Sequence, residues 1–401
     1  MNRRFQFAVV ASSACLVVLL LFGAVYGRSA SPETPYAHLG VYSEVLSRIK
    51  ADYVEEPDMK AVTLGAINGM LESLDPYASY LNADQYRQYQ KAKESRKSGD
   101  VGLVLAKRFG YMAVEDAIPG SPAAKAGFST GDVIESINNV STRDMPLAFA
   151  EMLLQGDAGS SIDFGVLRVR RSEAQKVSVV RGTVAYPPVT GRLDGSTGII
   201  QVQTLLAGRV KDVENQIAAL QKQGAKKFVL DLRHCSTGPD EEGIALANLF
   251  MDSGLITYTQ GQKESRKDFQ AAASKAVTKL PLAVVVNRST AGAAEIAAAA
   301  LLNSKRAPVI GEHTYGDAAV RRAVTLNDGS AVILSVAKYY APDGKSIQDN
   351  GVTPSVQQAE VDASADADDD TLPADVPNDD AGKKPGTDEL LKKAISSLPQ
   401  S

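Results

Sequence analysis

The sequence contains no tryptophan, only two cysteines and three histidines, and almost no excess of charge: 43 Lys and Arg stand against 47 Asp and Glu, a net −4. Each shortage excludes something. Two cysteines, at 15 and 235, cannot staple a chain of 401 residues, so the fold rests on a hydrophobic core. Histidines at 38, 234 and 313 cannot build a Cys/His zinc site without carboxylates, and neither a metal nor any other cofactor is indicated. The missing basic excess argues against nucleic acid as a partner, because a surface that neutralises phosphates would show one. What is present, 44% hydrophobic and 22% charged residues, describes a globular chain long enough for two or three domains.

The charge is unevenly placed. Residues 5–27 carry none, with Arg3 and Arg4 before them and Arg28 after. An apolar run of this length can cross a hydrocarbon core of roughly 30 Å as a helix. The leading arginines favour a cytoplasmic N-terminus, which leaves the rest of the chain on the far side of the membrane. A cleaved signal peptide is the rival reading, although no clean Ala-x-Ala site follows the run. Cys15 lies inside the run without the preceding leucine of a lipoprotein signal. At the other end, nine Asp or Glu and no Lys or Arg fall between Glu360 and Asp380, and removing that tract would turn −4 into +5. Such a segment buries too little apolar surface to offset the entropy of ordering it, so it is expected to be a disordered tether before a short amphipathic helix at 388–396.

Between these ends the periodicity changes twice. Val41, Val45 and Ile49, then Ala66, Ile67, Met70, Leu71 and Leu74, recur at helical spacing until Pro76 ends the second helix. Residues 99–184 switch to short β-rich runs, 101–105 and 162–169 among them, with turns at Gly110, Pro119-Gly120 and Gly131-Asp132. From about 190 the pattern is α/β: strands at 198–202, 227–232 and 282–287 alternate with helices at 210–223 and 291–302, which implies a largely parallel layer. Asp328-Gly329, between two apolar runs, signals a hairpin.

The run Ile118-Pro-Gly-Ser-Pro-Ala-Ala-Lys-Ala-Gly127, followed by Thr130-Gly-Asp-Val-Ile-Glu-Ser-Ile-Asn138, resembles the centre of a PDZ domain. In that family a peptide adds as a strand to a sheet edge and a glycine-containing loop receives its terminal carboxylate on backbone N–H groups. Val101, Gly102, Leu103 and Val104 fit the loop, so the implied partners are peptide or protein C-termini; a groove filled by the protein's own chain is the alternative.

Further motifs follow in order: residues 73–81 (Ser-Leu-Asp-Pro-Tyr-Ala-Ser-Tyr-Leu), Leu230-Asp-Leu-Arg233, Ala294-Glu-Ile296, Val309-Ile-Gly-Glu312 and residues 338–348 (Lys-Tyr-Tyr-Ala-Pro-Asp-Gly-Lys-Ser-Ile-Gln). Together with the PDZ run they resemble the carboxyl-terminal processing, or tail-specific, proteases. The resemblance implies a multidomain α+β chain of helical domain 29–95, PDZ domain 96–185 and α/β protease core 186–358, to which the residue pattern adds the anchor or signal peptide 1–28, the acidic linker 359–387 and a final helix 388–401. It also implies a bacterial inner-membrane protein with its soluble part in the periplasm, or a periplasmic one after signal cleavage.

Active members use a serine nucleophile, a lysine base and a glutamine one turn beyond the lysine; a desolvated lysine can take the serine proton. The corresponding positions here are Gly292, Asp317 and Arg321, and none can perform that chemistry. Asp317 and Arg321 would pair if the segment were helical and point to opposite sides if it were a strand. Of the oxyanion region, Gly238 and the N–H of Ala293 remain, with Thr237 replacing a glycine. Three substitutes are conceivable: Ser289 or Thr290 shifted into the site, a Cys235/His313 pair, or a metal held by Asp317 and the acidic run 240–242, which a helix dipole explains better. The implied function is a pseudoprotease, a membrane-associated PDZ scaffold or adaptor acting as a homo-oligomer or beside an active family member. The alternative is an active serine-type or displaced-nucleophile endopeptidase that processes protein C-termini.

Overall fold

A computed structural model describes residues 39–94, 97–108, 110–143, 145–168, 173–359 and 388–399. The apolar run 5–27 and the acidic tract lie outside the described residues, within which no helix is long and apolar enough to cross a membrane. The chain divides into two compact units, one ending at Gly65 and one beginning at Ala66.

The first unit contains helix α1 (Leu39–Asp52), none of whose residues is buried; Leu39, Val41 and Val45 are exposed. Helix α2 (Met59–Glu72) runs across the division. Asp75 then stops the helix, accepting the N–H groups of Tyr77 and Ala78 around Pro76.

The second unit is mixed α and β, built on three sheets. Strand β1 (Ser79–Leu81) follows Tyr77 at once, and helix α3 (Ala83–Glu94) follows it. The PDZ-like sheet has the order β2 (Leu103–Arg108), β3 (Tyr111–Ala117), β4 (Val133–Ile137), β6 (Ser161–Leu167), β7 (Gln175–Val180), with the short β5 (Val140–Ser141) on β4. Its core gathers Val101, Leu105, Met112, Ile134, Phe164 and also Tyr77 from the preceding segment. Helices α4 (Pro122–Lys125) and α5 (Leu147–Leu154) close it, the latter beside the edge strand β2. Strand β2 starts later than the sequence suggests because Gly102, at φ +79°, belongs to the entering loop.

The central sheet has the order β17 (Val356–Gln357), β14 (Val309–Gly311), β13 (Leu282–Val286), β10 (Lys227–Asp231), β9 (Thr197–Gln201), β8 (Thr190–Asp194), parallel except for the β8–β9 pair. Its middle strands carry uninterrupted apolar runs, Phe228–Leu230 and Leu282–Val286, because both faces are covered. Helices α6 (Arg209–Lys222), α7 (Asp240–Asn248) and α8 (Ala293–Asn303) fill one face. The other is covered by the terminal helix α9 (Glu389–Ser397), through Leu390, Leu391, Ala394 and Leu398.

The third sheet has the order β1, β16 (Ala331–Tyr340), β11 (Leu255–Gln260), β12 (Lys267–Gln270), with β15 (Ala319–Thr325) hairpinned to β16 around Gly329 at φ +82°. Residues 79–81, read from sequence as part of a helical domain, thus complete a sheet of the core by pairing with residues 331–333.

Candidate active site

Helix α8 begins two residues later than its alanine-rich composition suggests. Gly292 sits at its N-cap at φ 59°, ψ −123°, a conformation that side chains with a Cβ disfavour. A Cβ placed there would have only the Asp317 carbonyl, at 3.6 Å, within 4 Å. The backbone therefore resists a side chain, but the space in front of it is open.

Glu295, fully buried one turn into the helix, organises this corner. Its carboxylate accepts from the N–H groups of Gly292 (3.1 Å), Gly316 (2.7 Å) and Asp317 (2.8 Å), and from the Thr314 hydroxyl. Burial pushes its pKa up to about 7, against the pull of those donors. The effect is to lash the strand-entering segment 314–317 to the helix start, which sets Asp317 beside Gly292.

Gly292, Asp317 and Arg321 then meet in one cleft of about 290 Å³, together with Ser236, Gly238 and Asp240. Arg321 donates to both carboxylate oxygens of Asp317 and lies over the Tyr77 ring, its guanidinium carbon 3.7 Å from the centroid. The two residues pair even though Arg321 is in strand β15, contrary to the expectation that a strand would part them. An even spacing keeps 317 and 321 on one side, and the register shift beside them, between Val320 and Arg321, skips Val336 of β16 rather than a residue of β15. Burial opposes the arginine's charge, but the adjoining carboxylate outweighs it and its pKa rises.

The opposite wall is the turn after β10. Gly238 has φ +137°, and a Cβ there would lie 2.0 Å from the Leu205 carbonyl oxygen, so the turn requires glycine at that position. Thr237 beside it buries a hydroxyl with no hydrogen-bond partner. Ala293, the other residue expected to lend a backbone N–H, opens helix α8 next to Gly292.

Three comparisons bear on this arrangement. Residues 196–358 match the model of peptidase family S41, residues 114–168 that of a PDZ domain, and residues 24–85 that of the activating protease CtpB N-terminal domain. The carboxy-terminal processing protease CtpA of Bacillus subtilis is 34% identical over 356 residues, spanning 87% of this chain and 75% of that one. The carboxy-terminal-processing protease of Bartonella bacilliformis is 30% identical over 365 residues, spanning 88% and 81%. This chain belongs to the carboxyl-terminal processing protease family. Among solved structures, a photosystem II D1 C-terminal processing protease superposes with a TM-score of 0.65 at 28% identity, over 80% of this chain and 92% of that one.

Within this family member, the serine, threonine, cysteine and histidine considered as substitutes do not line the cleft, whereas Asp317, Asp240 and Glu241 do. Ser289 is buried with its Oγ 2.5 Å from Thr130 Oγ1, and Thr290 donates to the Leu232 carbonyl. Cys235 lies in the main core, where burial, with Asp116 near, pushes the thiol well above its ordinary range, while His313 is turned to the Thr314 carbonyl. They form no Cys/His pair. In the acidic run, Glu242 accepts from Gly208 and Val210 and so caps the neighbouring helix α6 rather than its own.

The sequence reading passed over one hydroxyl. Ser236 lines the cleft and donates to Asp116 Oδ2 at 2.8 Å, while the His234 ring stands 3.4 Å from the other oxygen of the same carboxylate. Asp116 is on β3 of the PDZ sheet, 120 residues away in sequence, and nothing in the local sequence announces the contact.

In the PDZ loop, Val101 and Leu103 are buried, and Gly102 packs so tightly that a Cβ would lie 2.3 Å from that of Ser121. The Gly102 carbonyl accepts from the N–H of Ile118 and from Ser121 Oγ. The backbone of Val101 to Val104 therefore leads directly from a locked turn into the edge strand β2.

Proposed function

We propose that this member is catalytically silent and binds extended peptide segments through its PDZ groove, as a scaffold or adaptor held at the bacterial inner membrane by residues 5–27 with its folded part in the periplasm. One observation supports the loss of catalysis above the others. The positions that the family pattern assigns to nucleophile, base and glutamine carry a glycine and a closed ion pair, Asp317 with Arg321, stacked on Tyr77. A base for acyl transfer needs a free lone pair within reach of a nucleophile; a carboxylate already bound to a guanidinium, facing a residue with no side chain, has neither. Assembly with a second copy or with an active relative fits a scaffold of this kind.

The rival reading is a working peptidase, and one observation favours it: Ser236 is a cleft hydroxyl bonded to a carboxylate. Full-length protein purified in detergent, incubated with an unfolded protein and a fluorophosphonate probe, separates the two. The silent reading expects neither cleavage nor labelling in the wild type, and labelling in the triple variant Gly292→Ser, Asp317→Lys, Arg321→Gln. Wild-type labelling abolished by Ser236→Ala would overturn it in favour of a displaced nucleophile.

A further inference from the structure

We infer that the PDZ groove of this chain selects a segment without a free terminal carboxylate, because Asp100 already holds its own carboxylate in the loop where a chain end would dock. The inference rests on the peptide-binding reading above and specifies the ligand of that site.

A backbone nest captures a chain terminus by aiming N–H groups at its carboxylate. Gly102 is the flexible centre of this loop, and its N–H points at Asp100 Oδ1, 2.7 Å away. Its conformation is enforced from the other side: the carbonyl of Gly102 is held by Ile118 and Ser121, and the carbonyl of Val101 accepts from Ala123 at 2.9 Å. The loop cannot rotate to offer that donor elsewhere without breaking these bonds.

Asp100 is equally fixed. Its N–H donates to the Gly182 carbonyl at 2.9 Å and its carbonyl accepts from Gly182 at 3.0 Å, and the preceding Gly99 is bridged in the same way to Gly156. The nearby cation does not neutralise it. Arg181 directs its guanidinium to the carbonyls of Leu153, Leu154 and Ser161 and to Ser160 Oγ. An incoming terminal carboxylate would therefore meet an occupied donor and a like charge a few ångströms away, whereas the amide of a continuing chain, or a blocked end, brings no charge and can donate to Asp100.

At the far end of the same edge, Lys107 gives its N–H to the Pro76 carbonyl at 3.0 Å. The protein's own chain thus closes strand β2 there, and the edge available to a ligand is the short stretch between Gly102 and Lys107. A short extended segment passing through fits this edge.

Fluorescence anisotropy on the full-length protein in detergent, with one labelled decapeptide ending in an apolar residue prepared as free acid and as C-terminal amide, tests the assignment. For the wild type the amide is expected to bind at least as tightly as the acid. Asp100→Ala, which frees the donor and removes the charge, is expected to tighten the acid relative to the amide by about tenfold, and Asp100→Asn, which keeps an acceptor but no charge, by about threefold. Thermal melts check that both variants fold, and the near-isosteric Asn variant carries the test if the Ala variant does not. A wild type that prefers the acid by tenfold, or variants that leave the acid-to-amide ratio unchanged, overturns the inference and leaves peptide binding intact. Absence of binding by either peptide to any variant removes the peptide-binding reading and the inference with it.

Discussion

Arg321 lies flat on Tyr77, 3.7 Å from the ring centroid, and the same tyrosine donates its hydroxyl to Glu115 Oε2 at 3.1 Å. One aromatic ring therefore joins the cation of the cleft to a fully buried carboxyl of the PDZ sheet, whose other oxygen has no partner. The guanidinium is the charge that offsets Asp317, Glu115 and Asp240 together, and its loss is expected to cost more than the loss of any one carboxylate. Arg321→Ala should destabilise by about 2 kcal/mol and Asp317→Ala by about 1 kcal/mol, both below the fully buried limit because the pair is partly exposed. Denaturant melts of the two single variants and the double variant measure this. Equal costs, with the double variant costing no more than either single, would show that Arg321 acts on Asp317 alone.

The two glycines of the cleft make opposite predictions for substitution. At Gly292 there is room for a side chain and only the backbone resists, so Gly292→Ser should fold with a loss of about 1–3 kcal/mol. At Gly238 the obstacle is the Leu205 carbonyl at 2.0 Å, which cannot yield without moving the turn. Gly238→Ala should lower soluble yield severely, while Gly292→Ser gives a cooperative melt a few degrees lower. The order would be reversed if the turn at Gly238 were loose and the helix start rigid.

The fold was legible in the sequence where local pattern and covalent order determine it: the apolar strands at 227–231 and 282–286, the Asp328-Gly329 hairpin, and the glycine-punctuated PDZ run. The cleft was legible as three positions, since the motifs flanking 292, 317 and 321 survive. Its interactions were not. Whether Asp317 meets Arg321 depends on how residue 317 enters strand β15, and Ser236 finds Asp116 only through the docking of one sheet on another. The Asp100–Gly102 bond is local, but a lone aspartate before Val-Gly-Leu has no periodic signature, and the backbone of that turn is held by the pairing of Asp100 with Gly182.

Buried carboxyls should shape the response to pH. Burial pushes both Glu295 and Asp240 up to about 7, and raises Glu115 as well. A carboxyl with a raised folded value keeps a proton that the unfolded chain releases, so its contribution is complete below the ordinary carboxylate range and is lost as the pH climbs through 7. Asp388 has the opposite sense. Burial would raise it, but the Arg233 hydrogen bond lowers it on balance, so its contribution is lost on acidification. The melting temperature is expected to be highest at about pH 5 and to decline toward pH 8. Asp240→Asn should flatten the decline on the alkaline side; an unchanged slope would show that Asp240 ionises freely in the cleft.

The terminal helix provides the last test, because it returns across the acidic tract to cover the face of the central sheet opposite the cleft helices. Asp388 caps it through the Leu391 N–H and at the same time binds Arg233 at 2.6 Å, and Arg233 also holds Asp231 at the end of β10. The residues that follow Arg233 form the turn that walls the cleft, so the helix braces the cleft from behind. Asp388→Ala removes a cap, usually about 1 kcal/mol, and half of the arginine's counter-charge, whereas Leu391→Ala opens the apolar seam at about 2–5 kcal/mol. If bracing is the role, Asp388→Ala should also raise hydrogen exchange at residues 233–238, while Leu391→Ala exposes the strands 229–231 and 283–285 that the helix covers. Exchange confined to the helix itself in both variants would mean that it merely seals the sheet and leaves the turn to stand on Leu205, Asn287, Ala291 and Asp116.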